Sequence, residues 1–173
     1  MSGLTDHLLR TLAAVPPGSR ILDLECGDGA VSQALAALGF DVHATMSDTE
    51  TAVRAQQAVA RTHPALGNRV ITASPRALGY PDSFFDWVVA LGSYDGIKAN
   101  RLSDALAETR RVLKPGGWVI IAVRDGADIS PAWLSYRMQD ADFAVAEPPK
   151  RDLDDEGPVV RGIFRKVERD VIG

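Results

Sequence analysis

The chain has 173 residues, of which 46% are hydrophobic and 24% are charged, a composition that excludes a fibrous or disordered protein. Its net charge of −4 offers no attraction for nucleic acid or an anionic membrane surface, so we expect neither as a partner. The single cysteine excludes an intrachain disulfide and a zinc site built from several cysteines, and no metal site is predicted. The start of the chain lacks the features of a signal peptide, and no apolar run could span a bilayer. These observations predict a single cytoplasmic domain.

Strand-like and helical segments alternate along the chain. Apolar residues at helical spacing predict helices over about 8–15, 31–38, 47–61, 102–113 and 130–140. Short apolar or β-branched runs predict seven strands, at residues 20–24, 40–46, 69–73, 87–91, 118–123, 143–147 and 159–167.

Two local patterns sharpen the expected boundaries. Ser47 and Glu50 lie three residues apart in a capping-box pattern, which predicts Ser47 as the N-cap of the helix that follows the second strand. Ser130 followed by Pro131 predicts another helix start, because proline is favoured at the first helical position. The charged stretch 150–156 is interpreted as a solvated connection between the last two strands.

The alternation of strands and helices indicates the fold class. Repeated strand–helix–strand units require right-handed crossovers and build a mostly parallel sheet with helices on both faces. The predicted fold is therefore α/β, a Rossmann-like doubly wound sheet. Ligands of such sheets bind beyond the carboxyl ends of the strands, where the strand order reverses. We therefore expect the functional site at the loop that follows the first strand.

That loop contains Gly27 and Gly29. Glycine permits a positive φ and a close approach of ligand to backbone, and the following helix directs its first amides at the same place. A tight turn that serves only packing is the alternative. A dinucleotide fingerprint would need glycine where Ser32 stands and an acidic residue where Met46 ends the second strand. The loop also lacks the Gly-Lys-Ser/Thr ending of a phosphate-binding P-loop.

Three motifs occur in order along the chain. The first is the loop 23–29, with Asp23, Gly27 and Gly29 in an Asp-x-x-x-Gly-x-Gly pattern. The second is the segment 80–89, with a Pro-Asp-x-x-Phe-Asp lead into the fourth strand, and the third is 111–117, which ends in Lys-Pro-Gly-Gly. Together they resemble the class I S-adenosylmethionine-dependent methyltransferases, over roughly residues 8–167.

The resemblance implies a seven-stranded sheet in the order 3-2-1-4-5-7-6 with an antiparallel last strand. It also implies a pocket for S-adenosylmethionine across the strand tips, with S-adenosylhomocysteine as the product. The residues that would line this pocket follow the first four strands: Asp23, Glu25, Gly27 and Gly29; Met46 and Asp48; Ser74; and Leu91, Gly92 and Ser93. Residues 1–18 would form an N-terminal helix, 19–125 the cofactor-binding half and 126–173 a C-terminal helix and strand pair.

Three of these residues depart from the family pattern. Glu25 stands where the family has a glycine, and its carboxylate would be unfavourable near the cofactor's carboxylate but favourable near the sulfonium. Met46 cannot accept hydrogen bonds from the ribose hydroxyls as a carboxylate does. Asp48 could substitute for it, or could serve only as an acid in the first turn of the helix capped by Ser47. Ser74 would accept a hydrogen bond from adenine more weakly than an aspartate.

Tyr94 and Asp95 follow the fourth strand, where groups that activate the acceptor lie in these folds. Either could act as a general base or orient the substrate. The alternative is a simple turn, which the flanking Gly92 and Gly96 favour.

Two functions follow from the resemblance. The first is methyl transfer from S-adenosylmethionine to a small-molecule or protein acceptor, where the protein chiefly positions the reactants and excludes water. The second is a non-catalytic domain of the same fold that acts as a binding or scaffold subunit, which the three departures favour. Because no long insertion covers the expected site, a partner chain or a homodimer mate could complete it.

Overall fold

The computed structural model describes residues 3–168, so the extreme ends of the predicted terminal segments lie outside the described residues. The helices are α1 (Gly3–Leu12), α2 (Ala30–Ala37), α3 (Thr49–Ala60), α4 (Pro64–Gly67), α5 (Ala99–Val112) and α6 (Pro131–Asp140). The strands are β1 (Arg20–Asp23), β2 (Asp41–Met46), β3 (Val70–Thr72), β4 (Phe85–Leu91), β5 (Leu113–Arg124), β6 (Phe143–Asp154) and β7 (Gly157–Lys166).

The seven strands form one sheet in the order β3-β2-β1-β4-β5-β7-β6. β1 to β5 run parallel to one another, whereas β7 runs antiparallel to both β5 and β6. The predicted fold class and strand order are confirmed. Because β1 pairs with β2 on one side and β4 on the other, the strand order reverses here. The crevice that binds ligands in doubly wound sheets is therefore at the carboxyl ends of these strands.

Apolar side chains cover both faces of the sheet. Successive residues of β4 point to opposite faces, so that Val88 and Val89 belong to two different buried clusters. Leu106 of α5 joins the cluster on one face, and Leu8 of α1 and Val59 of α3 join the cluster on the other. This burial on both sides explains why β4 reads in the sequence as a continuous apolar run.

The fifth strand begins five residues earlier than the sequence predicts. Leu113 already pairs with Phe85, and the next regular pair is Trp118 with Trp87. The Lys-Pro-Gly-Gly segment between them is an irregularity within the strand rather than a turn before it. Gly117 is required there, because a Cβ would lie 2.8 Å from the Lys114 carbonyl oxygen.

The interpretation of 150–156 as a solvated connection is wrong. Residues up to Asp154 continue β6 and pair with β7 across a short turn. Charged side chains stabilise this extension, because Arg161 of β7 donates to Asp152 of β6 at 2.6 Å. The sequence also missed α4, and it placed the end of α1 three residues too late. No helix within residues 3–168 is long and apolar enough to cross a membrane.

Candidate functional site

An open cleft of about 490 Å³ lies at the carboxyl ends of β1 to β4. Five of the residues singled out in the sequence line it, namely Glu25, Ser74, Gly92, Ser93 and Asp95. The other lining residues are Ser47, Pro75, Arg76, Gly96, Ile97, Lys98 and Arg101. The loops that follow four different strands thus meet at one cavity, which has the size of a small-molecule site.

The glycine loop is tied to the tip of β2. The Cys26 amide donates to the Thr45 carbonyl oxygen at 2.9 Å, and the Gly27 amide donates to the Met46 thioether at 3.1 Å. The Met46 sulfur therefore accepts the hydrogen bond of a loop amide, and the Met46 side chain lines a smaller apolar hollow beside the loop. The Met46 side chain closes the loop onto β2 at the position where the resemblance implies ribose binding.

The two loop glycines have different roles. Gly29, with φ of +82°, is the N-cap of α2, and a Cβ there would lie 2.3 Å from Val59 Cγ1 of α3. At Gly27, with φ of +59°, a Cβ would meet nothing within 4 Å. Packing therefore explains Gly29, whereas the open side of Gly27 leaves its backbone accessible to a ligand.

Asp23 lies beneath the loop rather than in the cleft. Its carboxylate is buried and accepts a hydrogen bond from the Ser32 hydroxyl at 2.5 Å. Burial raises the pKa of Asp23 to about 6, although the bonds from Ser32 oppose this rise. Ser32, which breaks the dinucleotide fingerprint, thus anchors the acidic residue that opens the glycine loop.

Glu25 is the most unusual residue of the cleft. Its φ of +56° lies in the left-handed region, where residues with a side chain are uncommon. One carboxylate oxygen, Oε2, accepts from the Ser47 hydroxyl at 3.1 Å. The other, Oε1, is buried without a hydrogen-bond partner among residues 3–168. Burial raises the pKa of this carboxyl, and the hydrogen bonds from Ser47 only partly offset the rise.

The prediction that Ser47 caps α3 is wrong by one residue. Asp48, not Ser47, is the N-cap of α3, and its carboxylate accepts from the Thr51 amide at 2.8 Å. That hydrogen bond lowers the pKa of the exposed Asp48 carboxyl. Ser47 is free to bind Glu25 because it lies one residue before the cap. Asp48 therefore has a structural partner at the place where it could have substituted for Met46.

The tip of β4 forms the opposite wall of the cleft. The Ser93 hydroxyl donates to the Leu24 carbonyl oxygen at 2.5 Å and so joins the ends of β4 and β1. Gly92 has φ of +78°, and a Cβ there would lie 3.2 Å from a carboxylate oxygen of Asp95. Leu91 packs against the core, and the Ser74 hydroxyl accepts from the Arg76 amide at 3.2 Å.

Residues 22–121 match the sequence profile of the methyltransferase domain family, and this segment is more than half of the chain. The chain belongs to this family. The resemblance drawn from the three motifs is confirmed, since the matched segment runs from β1 into β5 and contains the glycine loop.

Individual relatives share part of this methyltransferase domain. The 2-methyl-6-phytyl-1,4-hydroquinone methyltransferase of Synechocystis is 33% identical over 114 residues, which are 64% of this chain and 34% of that protein. The ubiquinone/menaquinone biosynthesis C-methyltransferase UbiE of Hydrogenovibrio crunogenus is 33% identical over 113 residues, which are 64% of this chain and 44% of that protein. The chain thus spans between a third and a half of the length of these relatives.

A solved structure extends the likeness to the whole fold. The 1,6-didemethyltoxoflavin-N1-methyltransferase of Burkholderia thailandensis superposes with a TM-score of 0.77 at 17% identity, covering 95% of this chain and 77% of that one. That crystal structure holds 1,6-didemethyltoxoflavin and S-adenosylhomocysteine. The likeness establishes a shared architecture.

Within this methyltransferase domain, the two predicted acceptor-activating residues have different environments. Tyr94 is buried, its hydroxyl shares a hydrogen bond with Thr109, and burial raises its pKa. Asp95 is exposed in the cleft, and its carboxylate accepts from the Arg124 amide at 2.8 Å. Desolvation raises the pKa of Asp95. These contacts favour a structural role for Tyr94 and leave Asp95 available to a substrate.

Three basic residues of the cleft were missed by the sequence analysis. Arg76 follows β3 and lies 3.9 Å from Asp104, whereas Lys98 and Arg101 open α5. Within residues 3–168 neither Lys98 nor Arg101 has an ion-pair partner within 4.0 Å. Cations are unfavourable at the start of a helix, where the macrodipole is positive. This placement is the signal that the sequence contained, because the first turn of α5 has basic residues and no acidic one.

Proposed function

We propose that this chain is an S-adenosylmethionine-dependent methyltransferase. The observation that carries the proposal is the cleft itself, which gathers Glu25, Ser74, Gly92 and Ser93 from the tips of β1, β3 and β4. These tips lie within the segment that matches the methyltransferase domain family. S-adenosylhomocysteine bound to the Burkholderia thailandensis enzyme supports the cofactor assignment.

The residues of the cleft fit the chemical groups of this cofactor. Gly92 lines the cleft without a side chain, and Ser74 offers a hydroxyl to the adenine edge. The bare backbone of Gly27 faces the smaller hollow that Met46 also lines. Lys98 and Arg101 provide positive charge for a carboxylate. When bound, the cofactor supplies a methyl group on a positively charged sulfur that any well-placed nucleophile can attack.

The protein's contribution to such a reaction is positioning. The short bond from Ser93 to Leu24 and the attachment of the glycine loop to Thr45 hold the two walls of the cleft at a fixed separation. Orientation of the reactants in a fixed cleft can supply several kcal/mol of the barrier reduction, roughly 7–11 kcal/mol in the best intramolecular cases.

Asp95 is the residue that we assign to the acceptor. Its carboxylate has one oxygen on the Arg124 amide and lies at the open side of the cleft. A carboxylate there can accept the proton of the attacking group or orient it. The acceptor is a small molecule or a protein, and a partner chain or a second copy of this chain could close the open cleft over it.

A non-catalytic binding domain is the second candidate function. It is favoured by Met46, whose sulfur accepts the Gly27 amide, and by Asp48, whose carboxylate caps α3. Met46 has no carboxylate, and one oxygen of Asp48 is committed to the Thr51 amide, so the pattern for binding the ribose hydroxyls is weakened at both positions. In this case the cleft would have lost its affinity for the cofactor while the fold remained.

Calorimetric titration with S-adenosylmethionine and S-adenosylhomocysteine separates the two functions. We expect dissociation constants in the micromolar range, on the order of −8 kcal/mol. A Ser74→Trp variant should abolish binding by filling the cleft. A Thr72→Trp variant is the matched control, because Thr72 is exposed at the end of β3, two residues before Ser74, and lies outside the cleft lining. Absence of binding at millimolar ligand would refute the proposed activity and favour the binding domain.

A further inference from the structure

Two unfavourable features coincide at Glu25. Its backbone has a φ of +56°, a conformation that glycine adopts without cost and that a side chain makes unfavourable. Its Oε1 atom is buried and has no hydrogen-bond partner among residues 3–168. Backbone strain and unpaired polar atoms are concentrated at functional sites, where a ligand supplies the missing interaction.

The carboxylate is held in place rather than free to turn to solvent. Ser47 donates to Oε2 at 3.1 Å, and the Thr45 hydroxyl accepts from the Glu25 amide at 3.4 Å. Both partners belong to the end of β2 and the residue that follows it. The contacts keep Glu25 in the lining of the cleft, with one oxygen committed and the other unpaired.

The missing partner must be a hydrogen-bond donor, and a positively charged donor suits a carboxylate best. Three cations share the cleft, namely Arg76, Lys98 and Arg101, yet none of them forms an ion pair or hydrogen bond with Glu25. Within the described part of the chain, no protein group therefore satisfies Oε1. Because Glu25 lines the cleft, a ligand that enters the cleft can supply such a donor.

We propose that Glu25 binds the α-ammonium group of the cofactor's amino-acid end and makes the cleft selective for adenosyl thioethers that have a free amino group. This inference rests on the proposed function, because it takes S-adenosylmethionine as the ligand. The same amino-acid end has a carboxylate, which Lys98 and Arg101, cations in the lining of the same cleft, can receive. Glu25 thereby adds a side-chain contact that a glycine at this position would lack.

The test compares ligands with and without the ammonium group. Wild-type protein and a Glu25→Gln variant are titrated with S-adenosylhomocysteine and with 5′-methylthioadenosine, which has no amino-acid end. The variant should bind S-adenosylhomocysteine roughly tenfold to a hundredfold more weakly and bind 5′-methylthioadenosine within about threefold of wild type. Glu50→Gln is the matched control, because Glu50 is exposed on α3 and lies outside the cleft.

A second measurement needs no variant and so does not depend on folding. N-acetylated S-adenosylhomocysteine keeps the carboxylate and the adenosine but loses the ammonium charge. Wild-type protein should bind it roughly tenfold to a hundredfold more weakly than the parent compound, and Glu25→Gln should bind the two compounds about equally.

The possible outcomes separate this inference from the proposed function. Wild-type protein that binds neither S-adenosylhomocysteine nor 5′-methylthioadenosine overturns both. An equal loss for both ligands in Glu25→Gln, or a loss confined to S-adenosylmethionine, leaves the activity standing and overturns the ammonium assignment. Tighter binding of S-adenosylhomocysteine by Glu25→Gly than by wild type would likewise overturn it, because it would mean that the side chain obstructs the cleft.

Discussion

The hairpin of β6 and β7 and the cleft at the tips of β1 to β4 differ in whether their charged side chains are paired with one another. In the hairpin, Arg161 donates to Glu147 at 3.1 Å and to Asp152 at 2.6 Å, and Glu147 also contacts His7 of α1 at 3.0 Å. Arg124 of β5 binds both carboxylate oxygens of Asp154, at 2.7 and 2.8 Å. Each of these charged groups is satisfied by a neighbour in the fold.

In the cleft, by contrast, charges of both signs share one cavity without satisfying each other. Glu25 keeps an unpaired oxygen, and Lys98 and Arg101 have no ion pair within the described residues. Paired charges contribute to the stability of the fold, whereas a buried carboxylate oxygen without a partner, in one cavity with unpaired cations, favours a ligand site. The difference supports a structural role for the hairpin and the proposed assignment of the cleft to ligand binding.

Removal of Arg161 is the strongest test of the structural role of the hairpin. The side chain is only 8% exposed, so an Arg161→Met variant would leave Glu147 and Asp152 without their partner. We expect the free energy of unfolding in urea to fall by about 3 kcal/mol, with S-adenosylhomocysteine affinity unchanged. Arg151→Met is the control: its side chain is 60% exposed, and its loss should cost less than about 1 kcal/mol. Equal losses in the two variants would contradict a structural role for the buried pairings.

The buried Asp23, which lies beneath the glycine loop, should make the free energy of unfolding depend on pH. Burial raises the pKa of this carboxyl from 3.8 to about 6, so the folded state holds its proton more tightly than the unfolded chain does. The group therefore costs stability increasingly as the pH rises from about 4 through 6, by up to roughly 3 kcal/mol. In an Asp23→Asn variant this contribution is absent, so wild type should lose stability relative to the variant between pH 4 and pH 7 by about 2–3 kcal/mol.

Denaturation of both proteins across this pH range measures the effect. The hydrogen bond from Ser32 is retained in the variant, because the asparagine carbonyl can also accept it. A stability difference that stays constant with pH would show that Asp23 titrates normally.

Substitution of Glu25 by glycine should stabilise the fold while it weakens binding. The substitution removes both the strain of a side chain at a left-handed φ and the buried oxygen that lacks a hydrogen-bond partner. We therefore expect the free energy of unfolding to rise by about 1 kcal/mol. Gly27→Ala is the converse control, since its φ of +59° predicts a loss of similar size. Thermal denaturation compares the three proteins. A less stable Glu25→Gly variant would mean that the side chain serves the fold rather than a ligand.

The smallest expected effect concerns the cations at the rim of the cleft. A Lys98→Met, Arg101→Met double variant should bind S-adenosylhomocysteine roughly threefold to tenfold more weakly at low ionic strength, and the difference should shrink in high salt. Arg61→Met removes an exposed cation at the far end of α3 and should change nothing. Calorimetry at two salt concentrations gives both comparisons, and a salt-independent loss would argue against a charge effect.

Much of the fold could be predicted because the controlling signals are local. The apolar run of β4 and the Ser130 cap of α6 each depend on neighbouring residues alone. The strand order came from the family resemblance and is confirmed. β6 was underestimated because its charged residues become strand residues only when Arg161, on the next strand, pairs with them.

The sequence predicted where the cleft lies, but not which side chains contact one another there. The sequence placed Glu25 and Ser74 after their strands, and both line the cavity. Its prediction of Ser47 as the cap of α3 is wrong, because serine and aspartate both cap helices and local sequence does not show that Ser47 instead donates to the distant Glu25. Lys98 and Arg101 were missed because only the path of the chain after β4 brings them to the cavity.

The close contact between Gly29 and Val59 limits how this loop could be engineered. A side chain at 29 would have to displace the Val59 methyl group, only 2.3 Å away, and so separate α2 from α3. Position 27 has no such neighbour, and position 25 already accommodates a glutamate. A library that randomises 25 and 27 while holding 29 fixed would therefore sample new ligand preferences without disturbing the helix packing beneath the loop.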